Sequence, residues 1–140
     1  MEERTLLIIK PDAVSKHHIG QIIAMVEAEG FRILEMRMTR LDREQAGAFY
    51  AVHREKPFYE ELLDFMTSGP IVPMALSREN GVAYLRKVVG ATNSREAAEG
   101  TIRARFGATV QQNAVHASDS TENAAKEVAF FFADDGKSGE

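Results

Sequence analysis

Short apolar runs alternating with stretches of helical spacing limit the folds open to this chain more than any single residue does. Arg4-Thr-Leu-Leu-Ile-Ile-Lys10 is closed by Pro11 and reads as a buried strand, with Lys10 at the end where the backbone leaves the sheet. Ile19, Ile22, Ile23 and Val26 then fall at helical spacing ahead of Gly30, which predicts a helix over residues 19–29. Leu34, Met36 and Met38 alternate with Glu35, Arg37 and Thr39 in the period of a half-buried strand, assigning both methionines to the core. Asp42 and Gln45 form a cap for a short helix carrying Phe49 and Tyr50. Pro57 suits the first position of another helix over 57–67, on which Phe58 and Leu62 share a face while Leu63 and Met66 turn inward.

Ser68-Gly69 ends that helix, and residues 70–76 are strand-like again, although Pro73 lacks a ladder donor and predicts an edge position or a bulge. A helix over 79–89 buries Val82, Leu85 and Val89 and stops at Gly90. The turn-rich connection from there to Gly100-Thr-Ile-Arg103 reads as a long ordered loop. A strand over 109–115 follows, then a helix capped by Asp119 with Glu122 as its partner, running to about Phe132, and a polar tail from Asp134. This order fits several α+β topologies, the split β-α-β ferredoxin-like sheet among them. A length of 140 residues at 44% hydrophobic content predicts one domain with a real core. The chain has no 18-residue apolar run and no basic-then-apolar leader, so a soluble, cytoplasmic protein is expected. Zero cysteines exclude disulfides and thiolate metal sites.

The chemistry concentrates in Asn113-Ala-Val-His116-Ala-Ser118-Asp119-Ser120. Nucleophilic histidine chemistry needs an imidazole neutral near pH 7 in a fixed tautomer, with polar support beside it. Ser118 lies two residues on, and Glu127 follows eleven residues after His116 on the next helix, where its carboxylate could reach back to the ring. The competing reading is a structural histidine beside ordinary helix caps. Charge is uneven: the chain carries −4 overall, which argues against general nucleic-acid binding, yet residues 78–105 carry +3 and residues 119–140 carry −4. A positive segment in an acidic protein suits a small polyanion, or else a solvated face. Neither G-x-x-x-x-G-K-[ST] nor G-x-G-x-x-G occurs, so phosphates would have to be held by side chains. Lys10, Arg86, Thr92 and Arg103 offer three cations and a hydroxyl for that purpose.

The octet resembles the active-site signature of nucleoside diphosphate kinases, and the likeness extends over nearly the whole chain. It includes Ile9-Lys10-Pro11-Asp12-Ala13-Val14, Pro57-Phe58, Ser68-Gly69-Pro70, Gly90-Ala-Thr92-Asn93 and Gly100-Thr-Ile-Arg103. The resemblance implies an α+β, ferredoxin-like four-stranded antiparallel sheet with helices packed on it, and central placement for the strand with Pro73. It implies ping-pong transfer of a γ-phosphate between nucleoside tri- and diphosphates through a phosphohistidine at His116, with Mg²⁺ carried on the substrate phosphates. Lys10, Arg86, Thr92 and Arg103 match phosphate- or ribose-binding positions, and Tyr50 matches a tyrosine near the transferred group. Phe58 matches the base-stacking aromatic, Leu62 its neighbour and Asn113 a ribose contact, while Ser118 and Glu127 match the pair supporting the histidine. A homo-oligomer built from dimers, tetramer or hexamer, is implied as well, of bacterial type.

Some positions depart from the family pattern. Ser94 and Glu99 stand where prolines are usual, Arg78-Glu79-Asn80 lacks a common glycine, Ala104-Arg105 lacks an acid, and Val52 precedes His53 where an acid is frequent. The proline losses bear on loop stability and subunit contacts rather than on chemistry. Two rival classes are a non-catalytic ferredoxin-like nucleotide- or nucleic-acid-binding module and a metal hydrolase using His17, His18, His53 and His116. The first predicts exposed aromatics on the strands, where Met and Glu stand instead. The second lacks metal-ligand spacing, and His17, His18 and His53 are expected in solvent or loops.

Overall fold

A computed structural model describes residues 2–138, with side chains placed through Phe132. The sheet has four antiparallel strands in the order β2-β3-β1-β4: β1 (Glu2–Ile9), β2 (Arg32–Met36), β3 (Val72–Glu79) and β4 (Val115–Ala117). Between them lie α1 (Pro11–Ser15), α2 (Ile19–Ala28), α3 (Arg43–Phe49), α4 (Tyr59–Met66), α5 (Gly81–Val89) and α6 (Ile102–Phe106), and α7 (Thr121–Ser138) follows β4. This is the ferredoxin-like arrangement.

Alternation along β1 divides two cores. Leu7 and Ile9 pack with Ile22 and Val26 of α2, Leu85 and Val89 of α5, and Ile102 and Phe106 of α6. Leu6 and Ile8 point the other way, onto Ala46 of α3, Leu62, Leu63 and Met66 of α4, and Val128 and Phe131 of α7. Helices therefore cover both faces, and β1 is central because both of its faces are apolar.

Several boundaries differ from the sequence reading, each for a local reason. The 57–67 helix begins at Tyr59, with Phe58 at its N-cap. Residues 79 and 80 belong to the end of β3 and its turn, where Asn80 takes a left-handed conformation (φ 55) that asparagine tolerates. The 109–115 strand shrinks to Val115–Ala117, so His116 lies within a strand rather than ahead of a helix. Helix α7 is capped by Ser120, whose hydroxyl accepts from Asn123 N at 3.0 Å, while the Asp119 carboxylate takes the Asn123 side chain at 2.7 Å. Phe132 leaves helical dihedrals (φ −132, ψ 26), and Arg37 donates to the Phe131 carbonyl at 2.6 Å beside that kink. The polar tail expected from Asp134 lies outside the described side chains.

The bulge is real but misplaced: it falls in β2 between Ile33 and Glu35, not at Pro73. Pro73 pairs with Ile8 in the sheet interior, and its carbonyl accepts from Arg37 N at 3.3 Å. In an antiparallel ladder a residue's N–H and C=O point the same way, so the missing donor faces the stretch between Met36 and the Thr39–Ile71 bridge, where the ladder is interrupted. Burial along β2 keeps a period of two, with Leu34 and Met36 on its exposed side. Leu34, Met36 and Met38 are 36%, 48% and 56% exposed, which overturns their assignment to the core. Gly90 closes α5 at φ 96, and an added Cβ would meet Thr101 Oγ1 at 2.6 Å. Gly90→Ala is expected to lower stability by roughly 1 kcal/mol or more, read as a fall in urea midpoint at unchanged m-value.

Candidate active site

Pro11 sits at the first position of α1, where a missing N–H leaves no helix partner unmet, and Lys10 precedes it at the end of β1. The Lys10 ammonium is buried, donating to Asn113 Oδ1 at 2.9 Å, and Asn113 Nδ2 donates in turn to the Thr92 carbonyl at 3.0 Å. Burial, and then the charge of Arg103, pull Lys10 down to about 8, opposed in part by Asp12. Arg103 on α6 donates to the Gly90 carbonyl at 3.0 Å and the Val115 carbonyl at 2.9 Å, with its Nε buried and without a hydrogen-bond partner among the described residues. Burial, and then Arg86, lower it to about 10. Two cations are thus buried close together with Asp12 as a partial counter-charge to Lys10, and a bound anion would add to it.

His116 pairs with Ile8 across the sheet edge. Alternation sends Val115 and Ala117 into the α2/α5/α6 core and turns the His116 ring toward α7. Its Nε2 lies 2.9 Å from Glu127 Oε1, and the same oxygen accepts from the Ser118 hydroxyl at 2.7 Å. Burial alone would raise the Glu127 carboxyl, but the hydrogen bond and charge of His116 together with the Ser118 hydroxyl outweigh it and hold it below the usual range. An ionised carboxylate only accepts, so Nε2 is assigned the proton and Nδ1 the lone pair. Phe49 and Tyr50 meet the imidazole edge-on, with ring centroids at 5.4 and 6.2 Å. The Tyr50 hydroxyl is buried without a hydrogen-bond partner among the described residues, its pKa raised by burial and then by the Glu127 charge.

These groups open onto one cleft of about 860 Å³, lined by Lys10, Tyr50, Phe58, Leu62, Arg86, Thr92, Arg103, Asn113, His116 and Glu127. Ser118 is fully buried beneath it, so every residue singled out from sequence is brought to one place. Sequence reasoning missed Val110, 56% exposed in the same cleft as the 45% exposed Phe58. A lone apolar residue between Thr109 and Gln111 was its only signal, and assignment to a strand hid it. Phe49 and Asp119 were missed as lining residues too. His53 also lines the cleft, beside Phe58 at 5.5 Å, and His18 packs its ring on Phe106 at 4.6 Å, so both make ring contacts from the connections expected to hold them. The loop lacking its usual proline is pinned instead by Ser94, whose hydroxyl donates to the Thr109 carbonyl at 3.2 Å.

Fold and cleft together define a phosphotransferase acting on nucleotides. Residues 3–136 match the family model described as nucleoside diphosphate kinase. A nucleoside diphosphate kinase of Chlamydia trachomatis serovar L2 is 59% identical over 94% of this chain and 93% of that protein, and one of Chlorobium luteolum is 57% identical over 94% of each. Among solved structures, the Aquifex aeolicus nucleoside diphosphate kinase superposes with a TM-score of 0.93 at 47% identity, covering 94% of this chain and 96% of that one. A halophilic relative from Halobacterium salinarum gives 0.92 at 36%, covering 96% and 90%. The chain belongs to the nucleoside diphosphate kinase family.

The Lys10 shift has opposite consequences for binding and stability. Below about pH 8 Lys10 is a cation, so KM for nucleotide is expected to rise as pH passes that value, and Lys10→Gln is expected to show a high KM without this limb. The folded pKa is depressed, so between about 8 and 10.5 the unfolded chain holds the proton more and stability rises with pH. Steady-state KM and urea midpoints measured from pH 7 to 10 check both signs.

Proposed function

We propose that His116 carries the phosphoryl group between a nucleoside triphosphate and a nucleoside diphosphate. The observation that carries this reading is the ring's engagement at Nε2 by Glu127, which leaves the Nδ1 lone pair available in a cleft faced by Lys10, Arg86 and Arg103. In the first half-reaction Nδ1 attacks the γ-phosphorus, a P–N bond forms, the bridging P–O bond breaks, and the nucleoside diphosphate leaves with that oxygen. The second half runs in reverse with another diphosphate. Arg86, Arg103 and Thr92 hold the phosphates, Lys10 and Asn113 the ribose, and Tyr50 borders the transferred group. Glu127 and Ser118 fix the tautomer and orientation of the ring.

Phe58 and Val110 are exposed apolar side chains of the same cleft, suited to the faces of a base; stacking discriminates little among bases, and ribose contacts through Lys10 and Asn113 need not demand a 2′-hydroxyl. The halophilic relative's solved structure is a complex with CDP, the acceptor class this reading requires. Mg²⁺ enters on the nucleotide in this reading, where it neutralises phosphate charge. No described helix is long and apolar enough to cross a membrane, and we place the enzyme in the cytoplasm as one domain. The exposed Leu34 and Met36 on edge strand β2, with Met38 just beyond it, support assembly from dimers that cover this edge, paired into a tetramer or joined as a hexamer.

Three measurements test these assignments. Protein mixed with γ-labelled ATP and no acceptor should take label that acid removes and alkali does not, and that any nucleoside diphosphate discharges; His116→Ala keeping the label would overturn the assignment. Phe58→Ala should raise KM for all bases together, by about tenfold for a stacking contribution on the order of 1–3 kcal/mol; a loss confined to one base would contradict stacking. Met36→Asp should shift sedimentation toward the monomer, and an unchanged assembly would remove β2 from the interface.

A further inference from the structure

Ala114 has φ 77 and is fully buried between two functional residues. Val115 N donates to the Asn113 carbonyl at 2.9 Å, closing a three-residue γ-turn around Ala114, a rare and strained shape for an L-residue. Both backbone groups of Ala114 are taken by the segment that follows β1. Its N–H donates to Asp12 Oδ2 at 3.1 Å, and its carbonyl accepts from Lys10 N at 2.9 Å. Asp12 is itself buried, and its other oxygen, Oδ1, has no hydrogen-bond partner among the described residues.

The turn stands where the cleft's two ends meet. On one side Asn113 holds the Lys10 ammonium, and on the other the Val115 carbonyl holds Arg103, with His116 next in the strand. Any relaxation of Ala114 toward ordinary dihedrals moves these three partners relative to one another. We infer that Asp12 is a positioning residue for phosphoryl transfer: its carboxylate tethers the strained Ala114 turn and so sets His116 against Lys10, Asn113 and Arg103. An acid in the first turn of α1 could instead serve that helix alone, but α1 has only five residues and Asp12 directs its hydrogen bond across the chain. The inference rests on the phosphohistidine reading, and its test separates the two.

Glycine reaches positive φ without strain, so Ala114→Gly should make the tether dispensable. The rate of phosphoenzyme formation is read in a cycle of Asp12→Ala and Ala114→Gly, at temperatures well below each variant's Tm. Asp12→Ala should slow labelling by about tenfold or more in the parent, in keeping with the effect of small misplacements, and by no more than about threefold in the Ala114→Gly background. Equal losses in both backgrounds would overturn the tether. Asp12→Asn keeps an acceptor oxygen for Ala114 N and should stay within about threefold of the parent; a loss as large as that of Asp12→Ala would equally count against it. Should Asp12→Ala alone fail to fold, a double variant that folds and labels near the parent rate supports the tether, and one that folds but labels slowly overturns it. A parent protein that takes no label counts against the phosphohistidine reading instead, and the same cycle is then decided on ADP affinity measured by calorimetry.

Discussion

Arg103 is the tie on which the cleft depends. Its guanidinium joins the Gly90 carbonyl, at the end of α5, to the Val115 carbonyl, beside the histidine in β4. Removing it would leave two acceptors without their donor as well as removing a charge, so its structural and binding roles cannot be separated by a simple deletion. The same burial that makes these hydrogen bonds firm depresses the pKa of Arg103, with Arg86 adding to it, and that of Lys10, with Arg103 adding to it. In the free protein the cleft is thus electrostatically strained. A bound polyanion relieves that strain, so nucleotide binding and fold stability are linked, and ligand should raise the apparent stability by mass action.

The imidazole is organised by a different means. Its backbone is fixed by pairing with β1, which leaves ring rotation as the main freedom, and Glu127 removes that. Ser118 is placed by alternation on the same face as His116 and shares the same carboxylate oxygen, while Leu6 N donates to its hydroxyl at 3.4 Å. Sheet, helix α7 and side chain therefore converge without any contribution from a mobile loop. Preorganisation of this kind lets one arrangement serve donor and acceptor halves of a nearly symmetric reaction.

Element order was legible in the sequence because it follows from local spacing, and the residues that the octet and its companion motifs single out are ones the fold gathers at one cleft. Helix α2, the Asp42–Gln45 capping box and the Gly90 stop appear where the pattern puts them. The misreadings arise where tertiary context outweighs pattern. Leu34, Met36 and Met38 alternate like a buried face, but in and just after an edge strand that face is left exposed. Pro73 looked incompatible with a central strand because a sequence cannot show which neighbour its missing donor faces. Val110 and His53 were invisible as cleft residues, since neither sits in a repeating pattern. The double duty of Arg103 was equally hidden, because backbone carbonyls carry no sequence signal.

The absence of a glycine-rich cradle has a further structural consequence. Such a cradle is local, a single turn that presents backbone N–H groups to a phosphate. Here the cations and hydroxyl come from the end of β1, from α5, from the connection after it and from α6, and the imidazole comes from β4. No short segment can hold a phosphate by itself, so the binding surface exists only when β1, β4 and both cores are assembled. The strained turn at Ala114 lies where the end of β1 meets the start of β4, tied to it by hydrogen bonds from Lys10 N and to Asp12. A site assembled from distant segments must be held by long-range ties, and the Lys10–Asn113 and Arg103–Val115 hydrogen bonds are those ties as well as the framework of the cleft.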